Sequence, residues 1–401
     1  MSTDSLRPLL AAAACLSFIS CASAPRVAPP PQASAAAAQQ PAPRAWSPIE
    51  RATVEMSFIS LAGCWQAQPR AVAATITDLM GRMLPEEEIV WGPAMHMPGP
   101  EALGGPSRLS DALALIARDR NTGEYFVVFR GTNTISAAEW LFQDFMVQRQ
   151  VPWRDIQAGP APEDALLSEG AARAVKMRLD LTPERGEKGE GKNFPAALID
   201  ILENSNGPCV MHFTGHSLGG LLAPAMALWL TDYLDATARP ELAARLRLDV
   251  YGYAGPTAGN AAFADYLESR VPASARYVNP LDIAPRAWDE AAMRDLPRLY
   301  KPRIGMEPVV RSLYDLCVGL SRGKGYAQPG PAIAVPSRVV PTRGNLYLLE
   351  AAYQHAVPYL DMLEPERKAT ILAEVIEPVA AAVQVKGAKP IELEELFMAG
   401  K

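Results

Sequence analysis

Gly215-His216-Ser217-Leu218-Gly219-Gly220 is the segment of this chain best suited to covalent chemistry. It follows the apolar run Cys209-Val210-Met211-His212-Phe213-Thr214 and precedes a helix-forming stretch through Leu222, Met226 and Leu230. A serine between such a strand and such a helix sits on a nucleophile elbow, with its Oγ presented at a sharp turn. The glycines have a steric reason, since a side chain at Gly215 or Gly219 would run into neighbouring backbone in so tight a turn. The chemistry implied is attack by an activated hydroxyl on an electrophilic carbon.

A serine hydroxyl is a weak nucleophile until a base takes its proton, and the chain offers four histidines. His96 falls in a Pro- and Gly-rich stretch over residues 93–106, read as loop. His212 lies inside the strand before the elbow, and the side chain of His216 should point away from that of Ser217. All three are expected to be structural. His355, in Tyr353-Gln354-His355-Ala356-Val357-Pro358-Tyr359, follows the serine in chain order and is the expected base. The carboxylate that orients it should come from a strand end between the two, and Asp282 in Val278-Asn279-Pro280-Leu281-Asp282-Ile283-Ala284-Pro285 fits. Its rivals fit less well, because Asp249 opens an apolar strand and Asp265 falls on a predicted helix. The plain alternative for Asp282 is an aspartate that only caps its own loop.

The elements that must position these groups are readable from apolar spacing. Helix-compatible spacing covers residues 49–83. Two apolar runs, 112–117 and 125–129, flank Asp119-Arg120-Asn121-Thr122-Gly123 and predict a hairpin. A helix is expected at 196–202 and strands at 246–253 and 275–278, while Pro224 should kink the helix after the elbow. Repeated strand-then-helix runs indicate an α/β fold with a mostly parallel central sheet flanked by helices. Residues 183–194 carry few apolar side chains and read as a mobile surface insertion.

The chain has 401 residues, 49% hydrophobic and 20% charged, enough for one large domain, taken as 49–401. A net charge of −6 without a basic stripe argues against nucleic acid as a partner. The acidic run 85–88 reads as a solvated face. No His-Glu-x-x-His or paired Cys-x-x-Cys spacing occurs, so no metal or organic cofactor is expected. Arg7 precedes an apolar stretch, 9–20, too short to span a bilayer but suited to a signal peptide. Residues 1–21 are therefore read as a signal peptide of lipoprotein type, with Cys21 lipidated; cleavage after Ala22-Ser23-Ala24 is the alternative. Residues 22–48, nearly all Ala, Pro, Gln and Ser, make a linker. Export to the cell envelope follows, lipid-anchored or, with the other cleavage, secreted. Cys64, Cys209 and Cys317 remain in the body, which excludes a disulfide framework.

Phe129-Arg130-Gly131-Thr132, Trp140 and Asp144, the elbow hexapeptide, Tyr251-Gly252-Tyr253-Ala254-Gly255-Pro256-Thr257-Ala258-Gly259-Asn260 with Phe263, the Asp282 segment and the late histidine with Tyr359 together resemble the class 3 lipases. The resemblance spans about residues 109–362. It implies an α/β-hydrolase that cleaves acylglycerols and related esters, so a lipid or ester substrate is the expected partner. Ser217, Asp282 and His355 would be its triad, Thr132 and Leu218 the oxyanion donors, and the segment with Trp140, Leu141, Phe142 and Phe145 a candidate lid. That segment's apolar surface is otherwise explained as core. Residues 153–195 depart from the family pattern in being long and charged, and Leu167-Ser168-Glu169-Gly170 replaces the usual His-containing motif. The same triad also serves thioesterases and peptidases, and a catalytically silent surface-binding lipoprotein is the third reading.

Overall fold

The computed structural model describes residues 44–66, 68–96, 112–131, 146–340 and 345–378. The expected signal peptide, Cys21, most of the linker, Thr132 and the lid residues Trp140, Leu141, Phe142 and Phe145 lie outside the described residues.

Helix α1 (Pro48–Ile59) begins at a capping box, in which the Ser47 hydroxyl accepts from the Glu50 N–H and the Glu50 carboxylate accepts from the Ser47 N–H. The fold thus starts slightly before the linker boundary drawn from composition. Trp46 packs edge-on against Tyr277 at 5.9 Å, and Arg44 pairs with Glu50 at 2.7 Å. Helix α2 (Pro69–Met83) buries Val72, Ile76, Leu79 and Met83, spaced three and four apart, and leaves its other face to water.

Strand β1 (Glu87–His96) was not expected from its sequence. It pairs antiparallel with β2 (Ala112–Asp119) as the outermost strand. The register shifts between Trp91 and Ala94, so Pro93 sits at an irregularity on an edge, where a missing N–H costs little. His96 therefore ends a strand and not a loop. Glu87, assigned to a solvated run, is buried, and its Oε2 has no hydrogen-bond partner. Burial, then the neighbouring Asp119, pushes its carboxyl up to about 8. The expected hairpin is present: β2 pairs antiparallel with β3 (Tyr125–Phe129), and Asp119 Oδ1 closes the turn by accepting from the Asn121 and Thr122 N–H groups.

Strands β4 (Gln150–Pro152) and β5 (Leu166–Ser168) lead to helix α3 (Glu169–Leu179), whose first turn is capped by Ser168. The segment expected to be a mobile insertion is fastened to β1 instead. The Gly92 N–H donates to the Lys188 carbonyl at 2.8 Å, and Trp91 Nε1 donates to the Lys192 carbonyl at 2.9 Å. A Cβ on Gly189 would stand 2.3 Å from the Trp91 ring. Backbone groups supply the attachment here, so a lack of apolar side chains did not predict freedom.

Next come α4 (Phe194–Glu203), β6 (Cys209–His216), α5 (Leu218–Ala236), β7 (Leu246–Tyr253), β8 (Gly259–Asn260), α6 (Ala261–Arg270) and β9 (Ser274–Val278). Helix α5 runs through Pro224 without a break. After β9 lie α7 (Pro308–Ser321), β10 (Tyr326–Ala327), β11 (Ala332–Ala334) and α8 (Tyr347–Leu360). Among the described residues, seven strands form one sheet in the order β1-β2-β3-β6-β7-β9-β11, parallel from β3 to β11. A small second sheet, β10-β8-β5-β4, lies apart from it.

Alternation along β6 assigns the two faces of the main sheet. Met211 and Phe213 enter the core shared with α3, α4, α5 and α6, while residues of α1 and α2 form the core on the other face. His212, Thr214 and His216 point to that second side, which is why polar groups of β6 meet α1. Helices on both faces bury the central strands on both sides, so the polar side chains of β6 must find partners on α1 and its neighbours.

Candidate active site

β6 ends against α5 with Ser217 between them, at φ 59° and ψ −124°. A non-glycine residue in that region is strained, and here the surroundings impose it. A Cβ on Gly215 would stand 2.4 Å from the Gly219 carbonyl, and one on Gly219 would stand 2.2 Å from the Phe129 carbonyl oxygen. The expected collisions at both glycines are therefore real, and they let β3, β6 and α5 converge. The Ser217 N–H donates to the Tyr253 carbonyl of β7 at 2.9 Å, which pins the turn to the neighbouring strand.

His355, on α8, reaches this turn. Its Nε2 lies 2.9 Å from Ser217 Oγ, and its Nδ1 lies 2.9 Å and 3.1 Å from the two carboxylate oxygens of Asp282. Asp282 is fully buried after β9, so its charge is compensated by donors and not by water. The Tyr359 hydroxyl donates to its Oδ2 at 2.9 Å and the Ala284 N–H to its Oδ1 at 2.9 Å. Burial, then Asp282 itself, holds the Tyr359 phenol well above its ordinary pKa, which keeps it a donor. Asn279 ties the loop to α8: its Nδ2 donates to the Gln354 carbonyl and side-chain oxygen at 2.6 Å and 2.8 Å, and its N–H to the Tyr359 hydroxyl at 3.0 Å.

His216 and His212 are each held by other partners. His216 donates from Nε2 to the His355 carbonyl at 2.7 Å and packs between Phe58 and the His355 ring, with centroids 4.5 Å and 4.6 Å away. Burial, then the adjacent His355, holds it well below the usual imidazole pKa and therefore neutral. His212 contacts Glu124 at 3.0 Å and Asp249 at 3.4 Å, away from the serine. That contact also accounts for Asp249, one of the two rivals to Asp282.

Sequence reasoning missed the support behind the elbow. Helix α1 lies under β6 and β7, where Thr53 Oγ1 and the Tyr253 hydroxyl are 2.8 Å apart and Ser57 Oγ and Thr214 Oγ1 are 3.0 Å apart. Thr53 and Ser57 are four apart on one helical face, and Thr214 and His216 two apart on one strand face. No local signal marked Thr53 and Ser57, since α1 also carries Glu50, Arg51 and Glu55. Leu218 is the first residue of α5, so its N–H has no intrahelical acceptor and is free to meet an anion at the elbow. Among the described residues no group of three or more His, Cys, Asp or Glu side chains is placed to hold a metal ion.

The description of a class 3 lipase matches residues 126–290, which contain Ser217 and Asp282. Over those residues the chain resembles the class 3 lipases. The solved structure of M37 lipase is similar over 84% of this chain and 99% of its own, with 28% identity and a TM-score of 0.71. Lip2 lipase from Yarrowia lipolytica is 13% identical, with 73% of this chain and 79% of its own covered and a TM-score of 0.43. Lipase II from Rhizopus niveus is 18% identical, with 62% and 78% covered and a TM-score of 0.40. No curated protein matches the sequence. The chain thus has the α/β-hydrolase fold expected from the sequence, and the protein is a lipase-like carboxylic ester hydrolase.

Proposed function

We propose that this protein hydrolyses lipid esters through a Ser217-His355-Asp282 triad and an acyl-enzyme. The observation that carries the reading is His355, whose two ring nitrogens each lie 2.9 Å from a partner, Ser217 Oγ on one side and Asp282 on the other. In that arrangement His355 Nε2 takes the Ser217 proton as Oγ attacks the ester carbonyl, and then hands it to the departing alcohol. Asp282 stays ionised and holds the ring in one tautomer. The Leu218 N–H meets the developing oxyanion, joined by Thr132 in the family pattern; one such donor is typically worth about 100- to 1000-fold in rate. Water, activated by the same imidazole, releases the fatty acid.

The apolar leader, Cys21 and the proline-rich tether support an exported protein held at the cell envelope by lipid on Cys21. Radiolabelled palmitate incorporated by the wild type and lost in Cys21→Ser would be the expected result.

For the chemistry, p-nitrophenyl esters from butyrate to palmitate are offered to wild type and to Ser217→Ala. The variant should lose at least about 1000-fold in kcat with little change in KM, since nucleophile loss in such triads costs on the order of 10⁶. A fluorophosphonate should label wild type and not the variant. A folded wild type that neither turns over esters nor takes the label would sink the proposal.

A further inference from the structure

We propose that the joined N-terminal ends of α7 and α8 form a surface that docks on an anionic lipid–water interface. The inference builds on the ester-hydrolase reading by naming how the site meets its substrate.

Among the described residues the exposed large hydrophobic side chains are Met146, Val309, Leu346 and Leu348. Three of the four lie within two residues of a single hydrogen bond, from the Tyr347 N–H to Glu307 Oε1 at 2.9 Å, which joins the starts of the two helices. Beneath them a small core of Tyr300, Ile304, Val310, Tyr347 and Ala351 packs against Leu281 and Ile283, the neighbours of Asp282. The patch is therefore built on the loop that carries the acid of the site. Val309 is 46% exposed although Val310 beside it is buried, so α7 turns Val309 outward, with half-buried Leu313 and Leu316 following on the same helical face. On α8 the face Leu348, Ala352 and His355, spaced four and three apart, leads from the patch to the histidine of the site.

Charge chooses the occupant. Exposed Arg303 and Arg338 border the patch, and among the described residues neither lies within ion-pair distance of a carboxylate, although the Arg303 charge also acts on buried Glu350. Arg303 is held there by donating to the Val339 carbonyl at 3.1 Å, and the Arg338 carbonyl accepts from Gln354 of α8 at 2.7 Å. A cationic rim around apolar side chains, on a chain whose net charge is −6, is the complement of an anionic lipid surface.

The test uses the full chain with Cys21→Ser and Ser217→Ala, which removes lipidation and turnover, sedimented with phosphatidylcholine vesicles with and without phosphatidylglycerol. Binding should require phosphatidylglycerol and weaken with salt. Val309→Asp with Leu348→Asp, and separately Arg303→Glu with Arg338→Glu, should each reduce the partition coefficient at least about tenfold. Val309, Leu348, Arg303 and Arg338 are all at the surface, and unchanged melting temperatures would confirm folded variants. Vesicle binding that ignores both double variants overturns the inference, as does a wild type that does not bind. Variants that turn a dimer into a monomer in light scattering with unchanged vesicle binding would assign the face to a second copy. The companion measurement is turnover of soluble p-nitrophenyl butyrate by the Cys21→Ser protein. Turnover without vesicle binding defeats only the docking surface, and vesicle binding without turnover defeats only the hydrolase reading.

Discussion

Ser217 is placed mainly by residues next to it in the chain, from β6 through Gly220, whereas its partner His355 is placed by Asp282, 73 residues away on the loop after β9. The serine side is a backbone device: glycines, one strained residue and a hydrogen bond to the adjacent strand. The His355–Asp282 side is a side-chain device, built from Asn279, Gln354 and Tyr359 in a buried network of hydrogen bonds. The two should therefore fail differently. Damage to the first should break the fold, and damage to the second should break turnover in a protein that still folds.

The largest expected effect falls on the backbone device. In Gly219→Ala the new methyl would stand 2.2 Å from the Phe129 carbonyl oxygen, an obstacle that no rotamer change removes. A loss of at least about 3 kcal/mol in urea unfolding is expected, at the upper end for overpacking. Gly207→Ala, where nothing lies within 4 Å, should change stability by less than about 0.5 kcal/mol. Equal melting of the two variants would contradict the convergence of β3, β6 and α5 as the reason for the glycine.

The side-chain device is sharpened by Tyr359→Phe. The substitution keeps the ring and removes one donor to the buried Asp282, along with the acceptor for the Asn279 N–H. A hydrogen bond to a charged group is worth about 1.5–3 kcal/mol, so kcat should fall roughly 10- to 100-fold while KM stays within about twofold. A proportional rise in KM would show instead that Tyr359 shapes substrate binding.

The same contrast explains what the sequence disclosed. The elbow is local, so an apolar run, a glycine pair and a helix-forming stretch were sufficient to place Ser217, and chain order left few choices for Asp282 and His355. Strand β1 was hidden because Gly92 and Pro93 mark a loop by local chemistry, and only pairing with β2 and the irregular register around Trp91 make a strand of them. The attachment of residues 183–192 was hidden because backbone groups make it, and composition reports side chains. Thr53 and Ser57 were unreadable for a third reason. Hydroxyls on a buried helix face mean nothing until Tyr253 and Thr214 stand opposite them.

Two buried titratable groups carry the comparison into pH, with smaller effects of opposite sign. His216 lies against the site, and its folded pKa is depressed, so below about pH 6.5 the unfolded chain binds the extra proton. Its contribution is present above that pH and is lost as pH falls. Glu87 lies on the edge strand, and burial raises its carboxyl from the ordinary 4.5 to about 8. Between those values the folded state holds the extra proton, so stability falls as pH rises through the window. Each slope is limited to about 1.4 kcal/mol per pH unit, the value for one proton. Melting curves of His216→Gln should therefore lose steepness between about pH 6.5 and 5, and those of Glu87→Gln should gain stability over wild type at about pH 8 and none at about pH 4. The Glu87 effect has a second cause to check it. Oε2 has no hydrogen-bond partner, so the amide replaces a charge that is costly to bury with a neutral group of the same shape. A Glu87→Gln protein that is less stable than wild type at both ends of the range would mean that this carboxylate is charged and paired in the folded state, and the edge of the sheet would then resemble the site more than it contrasts with it.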